Sequence, residues 1–328
     1  MSPEIGSNMD YTVEIIRHAD KGKGTLFPPE FKTHIKDLQR SLFHSKRVNK
    51  NLELEQGFST KFINTLESDG LSRDEAKTVL QTIYGNERLF GLMFKDANLP
   101  LTIDGLRRSI ALGNSQFEMI KEKLLKIGGK HAVIASFVNR KSNRNSLTGL
   151  LAIQQIKNRL DAFNKTLETS ERINIKIHER GLKAEEARVV ALGLADLPDA
   201  TWKKYEESRK PKEEGGEGLS VYESVRRMIK ELRGKTDHLS ETPEQGAERY
   251  KQFVLHMFEV LKEDYRDESA VVRVAMAIGH SGPLLERKDI FLSSNGVKEL
   301  KENYGVDYCE KFFYRNDGSL ERTEITKI

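Results

Sequence analysis

The chain predicts an α/β fold: a three-layer sandwich with a mostly parallel central sheet flanked by helices, plus a helical insertion that caps it. Short apolar runs at residues 11–16, 131–138, 173–177 and 270–278 alternate with long stretches of helical periodicity, the pattern of strand–helix–strand units. The runs at 131–138 and 270–278 are nearly continuous in apolar residues, as strands covered on both faces are. In such sheets the loops at the carboxyl ends of the strands build the site. Polar, chemically capable residues follow three of these runs: His18, Arg140 and His280.

The first strand, 11–16, leads into a mostly helical insertion over 28–98, in which Phe31, Ile35, Leu38 and Leu42 share one helical face. Within it, Gly70 stops one helix, and Ser72 with Glu75 forms a capping box that opens another running through Tyr84. Thr102 caps a further helix carrying Leu106, Ile110, Phe117, Ile120 and Leu124 on one face, ended by Gly128 and Gly129. The second strand, 131–138, precedes a helix over 147–168 and a third strand over 173–177. Residues 208–218, charged and glycine-rich without periodicity, read as a loop, and 221–232 as a helix. Thr242, Pro243 and Gln245 supply cap, first position and third position of a helix reaching about Lys262. After the most apolar strand, 270–278, the string Asn316-Asp317-Gly318 separates two strand-like runs and predicts a hairpin. No internal repeat is visible, and the reading is a single domain over 1–328.

Composition narrows the partners. The 328 residues carry 54 basic and 50 acidic side chains, a net charge of +4. A dedicated nucleic-acid binder would segregate a stronger basic excess, so no nucleic-acid partner is expected. No stretch approaches the roughly 18 apolar residues of a membrane span, and residues 1–10 contain no apolar leader segment. Cys309 is the sole cysteine, which excludes an internal disulfide and a thiolate metal cluster. The remaining histidines show no paired ligand spacing, so neither a metal nor another cofactor is expected. These features predict a cytoplasmic location and leave oligomeric state undetermined.

Two strings carry the chemistry. Arg17-His18-Ala19 follows the first strand, and Gly279-His280-Ser281-Gly282 follows the last buried one. Histidines delivered to the ends of two distant strands, one with an arginine beside it, suit a doubly charged anion such as a phosphomonoester. A neutral imidazole is a competent nucleophile toward phosphorus. A planar guanidinium binds two phosphoryl oxygens at once, and a second, protonated histidine stabilises the transferred charge.

The ordered motifs resemble the histidine phosphatase superfamily, which contains the phosphoglycerate mutases and many phosphatases. Arg17-His18-Ala19 is similar to its Arg-His-Gly signature, with alanine third. Leu101-Thr102, Gly105 and Ala111-Leu112-Gly113 are similar to its Leu-Thr…Gly…Ala-x-x-Leu-Gly string. Ser136-Phe137-Val138-Asn139-Arg140 resembles Ser-Pro-Leu-x-Arg, with phenylalanine for proline. Leu194-Ala195-Asp196-Leu197 with Trp202 resembles Leu-x-Glu-Ile…Trp, with Asp for Glu, and Ala277–Ser281 resembles the second-histidine motif. The five span about 11–282 and leave 28–98 outside the resemblance. The resemblance implies His18 as the nucleophile that becomes phosphohistidine, with Arg17 and Arg140 clamping phosphoryl oxygens. It further implies His280 as the second pocket histidine and Asp196 as proton donor and then base. Glu179 is the reserve proton donor, and Arg144 and Ser281 are reserve pocket residues. The expected activity is metal-independent hydrolysis of a small phosphorylated substrate. A phosphotransferase or mutase, and a phosphate-binding module without turnover, are the alternatives. Asp20-Lys21-Gly22-Lys23-Gly24 stands where the mutases extend their signature, which favours hydrolysis.

Overall fold

The structure is a computed structural model that describes residues 10–17, 52–87, 89–90, 99–138, 143–181, 243–263, 271–279, 308–315 and 317–327. Its content is mixed α/β. The strands are β1 (Asp10–Arg17), β2 (His131–Val138), β3 (Asn174–Gly181), β4 (Val272–Gly279), β5 (Tyr308–Tyr314) and β6 (Leu320–Lys327). The described helices are α1 (Leu52–Ser68), α2 (Arg73–Tyr84), α3 (Ile103–Ile127), α4 (Asn143–Lys165) and α5 (Pro243–Glu263). The six strands form one mostly parallel sheet in the order β3-β2-β4-β1-β5-β6.

The direction of each strand follows from its register. β2 runs parallel to β3 and to β4, with Ser136 opposite both Glu179 and Met276. The Asp10 N–H donates to the Val271 carbonyl at 3.0 Å, and the Val271 N–H donates to His131 at 3.1 Å. The beginnings of β1, β4 and β2 therefore lie together, and so do their carboxyl ends. β5 returns antiparallel to β1, and β6 pairs antiparallel with β5. The hairpin expected at residues 316–318 is present, with Gly318 at φ 88° in the region that glycine tolerates. β2 and β4 are buried along almost their whole lengths, as strands covered on both faces must be. β3, at the edge, alternates instead.

The helices begin and end where their caps dictate. The Ser72 hydroxyl accepts from the Glu75 N–H at 3.3 Å while the Glu75 carboxylate accepts from the Ser72 N–H at 2.7 Å, completing the capping box of α2. Thr102 accepts from the Gly105 N–H at 3.0 Å, and α3 ends at Gly128, which is left-handed at φ 65°. All five apolar residues predicted for its face are buried. α4 begins four residues earlier than its periodicity indicates and stops at Lys165. Its first turn, Asn143-Arg144-Asn145-Ser146, is polar, so apolar spacing does not reveal it. The residues predicted as a helical face at 31–42, a loop at 208–218 and a helix at 221–232 lie outside the described residues.

The chain divides into two compact units, one of Met1–Gly181, Leu261–Ile278 and Gly305–Ile328, the other of Leu182–Val260 and Gly279–Tyr304. In the second, the described turns of α5 bury Tyr250, Phe253, Val254, Met257 and Phe258 on one helical face. In the first, one face of the sheet carries two cores. Toward the amino ends, Phe117, Ile120, Leu124 and Ile156 pack with Ala132, Ile134, Val272 and Val274. Toward the carboxyl ends, Ile16, Met276 and Ile278 share a core with Phe58, Phe62, Val79 and Ile83 of the insertion. α3 and α4 cross closely: a Cβ on Gly113 would stand 2.5 Å from the Ala152 carbonyl oxygen.

Candidate functional site

The parallel strands bring four chain exits to one edge of the sheet. β1 and β4 are neighbours, and β1 ends at Arg17 while β4 ends at Gly279. His18 and His280 are each the next residue in the chain. They lie outside the described residues, as do Arg140, Asp196 and Ser281. Arg17 is placed as the last residue of β1, but its side chain also lies outside what is described. β2 ends at Val138, two residues before Arg140.

The two remaining candidates are described. Arg144 sits half-buried in the first turn of α4. Glu179 is exposed on edge strand β3, opposite Ser136 in register. The structure thus brings Glu179, Arg17 and the strand exits toward His280 and Arg140 to the same edge.

Polar groups not singled out in the sequence support this edge from beneath. Asn145 is fully buried, and its amide donates to the Ile278 carbonyl at 3.3 Å, two residues before His280. One turn further along α4, Gly149 lets the helix approach the same residue: a Cβ there would stand 3.1 Å from Ile278 Cγ1. The helix that follows the Arg140 segment therefore grips the end of the strand that leads to His280. The Ser136 hydroxyl, 1% exposed, has no hydrogen-bond partner among the described residues. A lone serine in an otherwise apolar strand was the available signal for Ser136. For Asn145 the signal was its four-residue spacing from Gly149, hidden by the polar helix start.

From the middle of β1 back to its amino end, the charged side chains are paired. Glu14 is fully buried, accepts from the Gln116 amide at 2.5 Å and faces the Lys311 ammonium at 3.5 Å. Burial pushes its carboxyl above the ordinary range, against the opposing pull of Lys311 and Lys123. Burial pulls the Lys311 ammonium down, but Glu14, Cys309 and Glu324 together outweigh it, and the net shift is upward. Lys123 donates to Asp10 at 2.5 Å and to Thr12 at 2.8 Å. This network runs from Asp10 to Glu14 of β1 and holds α3 and β5 against it.

Among the described residues, no group of three or more His, Cys, Asp or Glu side chains is arranged to hold a metal ion. Among them too, no helix is long and apolar enough to cross a membrane. No family model matches the chain, and no curated protein matches it.

Proposed function

We propose that the protein is a metal-independent phosphomonoester hydrolase of the histidine phosphatase type, working through a phosphohistidine on His18. What supports the reading is one observation: adjacent parallel strands β1 and β4 end one residue before His18 and one residue before His280. The order of the motifs along the chain agrees with it.

In the proposed reaction a neutral imidazole nitrogen of His18 attacks phosphorus in line with the ester oxygen. The N–P bond forms as the P–O bond breaks, and the electron pair passes to the leaving oxygen, which takes the carboxyl proton of Asp196. Arg17 and Arg140 bind the equatorial oxygens, and protonated His280 stabilises their charge. The Asp196 carboxylate then takes a proton from water, the water oxygen attacks phosphorus, and the N–P pair returns to the imidazole. Glu179, at the same sheet edge, is the reserve proton donor, and Arg144 and Ser281 are reserve contacts.

The finer architecture belongs to the same proposal. The sheet is the centre of a three-layer sandwich, and residues 28–98 form a helical cap that selects the alcohol part of a small phosphorylated substrate. The shared core of Phe58, Phe62, Ile16 and Ile278 supports a position for α1 and α2 toward the carboxyl ends. A cytoplasmic location fits the single cysteine, Cys309, which is buried and in no disulfide.

The test is hydrolysis of a generic aryl phosphate with EDTA present, by wild type and by His18→Ala. Activity that survives chelation and is lost in the variant is the expected result. Hydrolysis that persists in His18→Ala overturns the proposal. A protein that binds vanadate but hydrolyses none of a wide panel of phosphomonoesters is instead a binding module on the same scaffold.

A further inference from the structure

A groove of about 500 Å³ opens at the amino end of β1, between the last turn of α3 and the β5–β6 hairpin. Its size falls in the range of small-molecule sites. It lies at the far end of β1 from Arg17, about 23 Å away at roughly 3.3 Å per strand residue, so it is separate from the edge described above.

Its chemistry is concentrated. Four cationic side chains, Lys123, Lys126, Arg315 and Arg322, line it with two carboxylates, Asp10 and Glu321. The excess equals half of the formal +4 of the whole chain. The cations are not equivalent. Lys123 is held by Asp10 and Thr12. Arg322 is held by Glu324 at 2.8 Å, and its guanidinium carbon sits over the Phe313 ring, 3.9 Å from the centroid. Lys126 and Arg315 are exposed, and neither has an ion pair among the described residues. The groove therefore offers two exposed cations, Arg315 with Asp317 as an electrostatic neighbour, beside a half-exposed guanidinium held over an aromatic ring. Exposed cations suit an anion, and a planar guanidinium suits a flat ring. Ile127, 37% exposed, adds an apolar wall.

We propose that this groove is a second ligand site, and that it takes a mononucleotide-like molecule: one phosphate group joined to a planar ring system. The phosphate meets Lys126 and Arg315, and the ring lies on the Arg322–Phe313 stack. The proposal does not depend on the activity assigned to the opposite edge.

The experiment is equilibrium dialysis of the full chain against AMP at low salt, in the His18→Ala background so that the nucleotide is not consumed. Wild-type residues in the groove should give a Kd below about 1 mM, and Lys126→Ala/Arg315→Ala should weaken binding by about tenfold or more. Arg322→Ala should weaken AMP but not inorganic phosphate. Both substitutions are at exposed positions, and in the chain with His18 intact they should leave aryl phosphate hydrolysis unchanged. A number of AMP sites per chain that the double substitution leaves unchanged overturns the proposal. So does the absence of saturable AMP binding, or inorganic phosphate binding as tightly as AMP.

Discussion

The two halves of the sheet handle polar groups in opposite ways. From the amino end of β1 to its middle, polar groups are paired: Lys123 with Asp10 and Thr12 in part-buried contacts, and the fully buried Glu14 with Gln116 and Lys311. In the carboxyl half, the described interior is apolar, with Ile16, Met276 and Ile278 in a core shared with the insertion. Its buried polar side chains include Ser136 in β2 and Asn145, Ser146 and Thr148 at the start of α4. A paired charge network ties β1 to α3 and β5, while the carboxyl end of the neighbouring β4 is held by packing and the Asn145 amide. Two neighbouring strands of one sheet are thus fastened to their helices by different means.

If that division is right, the largest stability loss comes from the carboxyl-half core. Phe62→Ala removes a fully buried ring and should cost about 4 kcal/mol, read by denaturant unfolding. A cost under about 1 kcal/mol would mean the insertion is not part of that core.

Breaking the amino-half network should cost somewhat less. Glu14→Ala leaves Lys311 without its carboxylate and should destabilise by about 3 kcal/mol. pH sharpens the point. The folded carboxyl holds its proton more tightly than its ordinary 4.5 value, so the folded state binds more protons than the unfolded one above that pH. Stability from this group is therefore full below 4.5 and declines as pH rises through the higher folded value. Melting temperature followed from pH 4 upward should show that decline in wild type, and Glu14→Gln should flatten it. Equal slopes would remove Glu14 from the network.

Much of the scaffold was legible and the supporting polar contacts were not. Ser72, Thr102, Gly128 and Asp317-Gly318 act locally, through caps and a turn, and each stands where the chain predicts it. Glu14 with Lys311, and Asn145 with Ile278, are pairings between residues far apart in the chain, which no local pattern encodes. Glu14 reads as the polar member of a strand, yet it is fully buried. Asn145 stands ahead of the helix predicted over 147–168, because the four polar residues that open the helix carry no apolar spacing. Among the candidate site residues, the sheet order accounts for the convergence of strand exits. Glu179 and Arg144 are the two whose surroundings are described.

Two smaller effects probe the carboxyl half. Asn145→Ala removes the donor to the Ile278 carbonyl and should destabilise by about 2 kcal/mol. It should also lower aryl phosphate turnover, because the strand end before His280 loses its tie to α4. Unchanged turnover at matched folded fraction would show that the tie is only structural. Ser72→Ala, at the exposed start of α2, should cost about 1 kcal/mol and leave turnover unaltered. A large loss of turnover there would link the insertion to the chemistry itself.

The central claim is a covalent phosphohistidine on His18, and trapping it is the most direct test. Wild type and His18→Ala are mixed with a phosphorus-labelled aryl phosphate and quenched in denaturant during turnover. The account predicts label on wild-type protein in a linkage stable to alkali and labile to acid, and none on the variant. Turnover without labelled protein, or label that persists in His18→Ala, would contradict it.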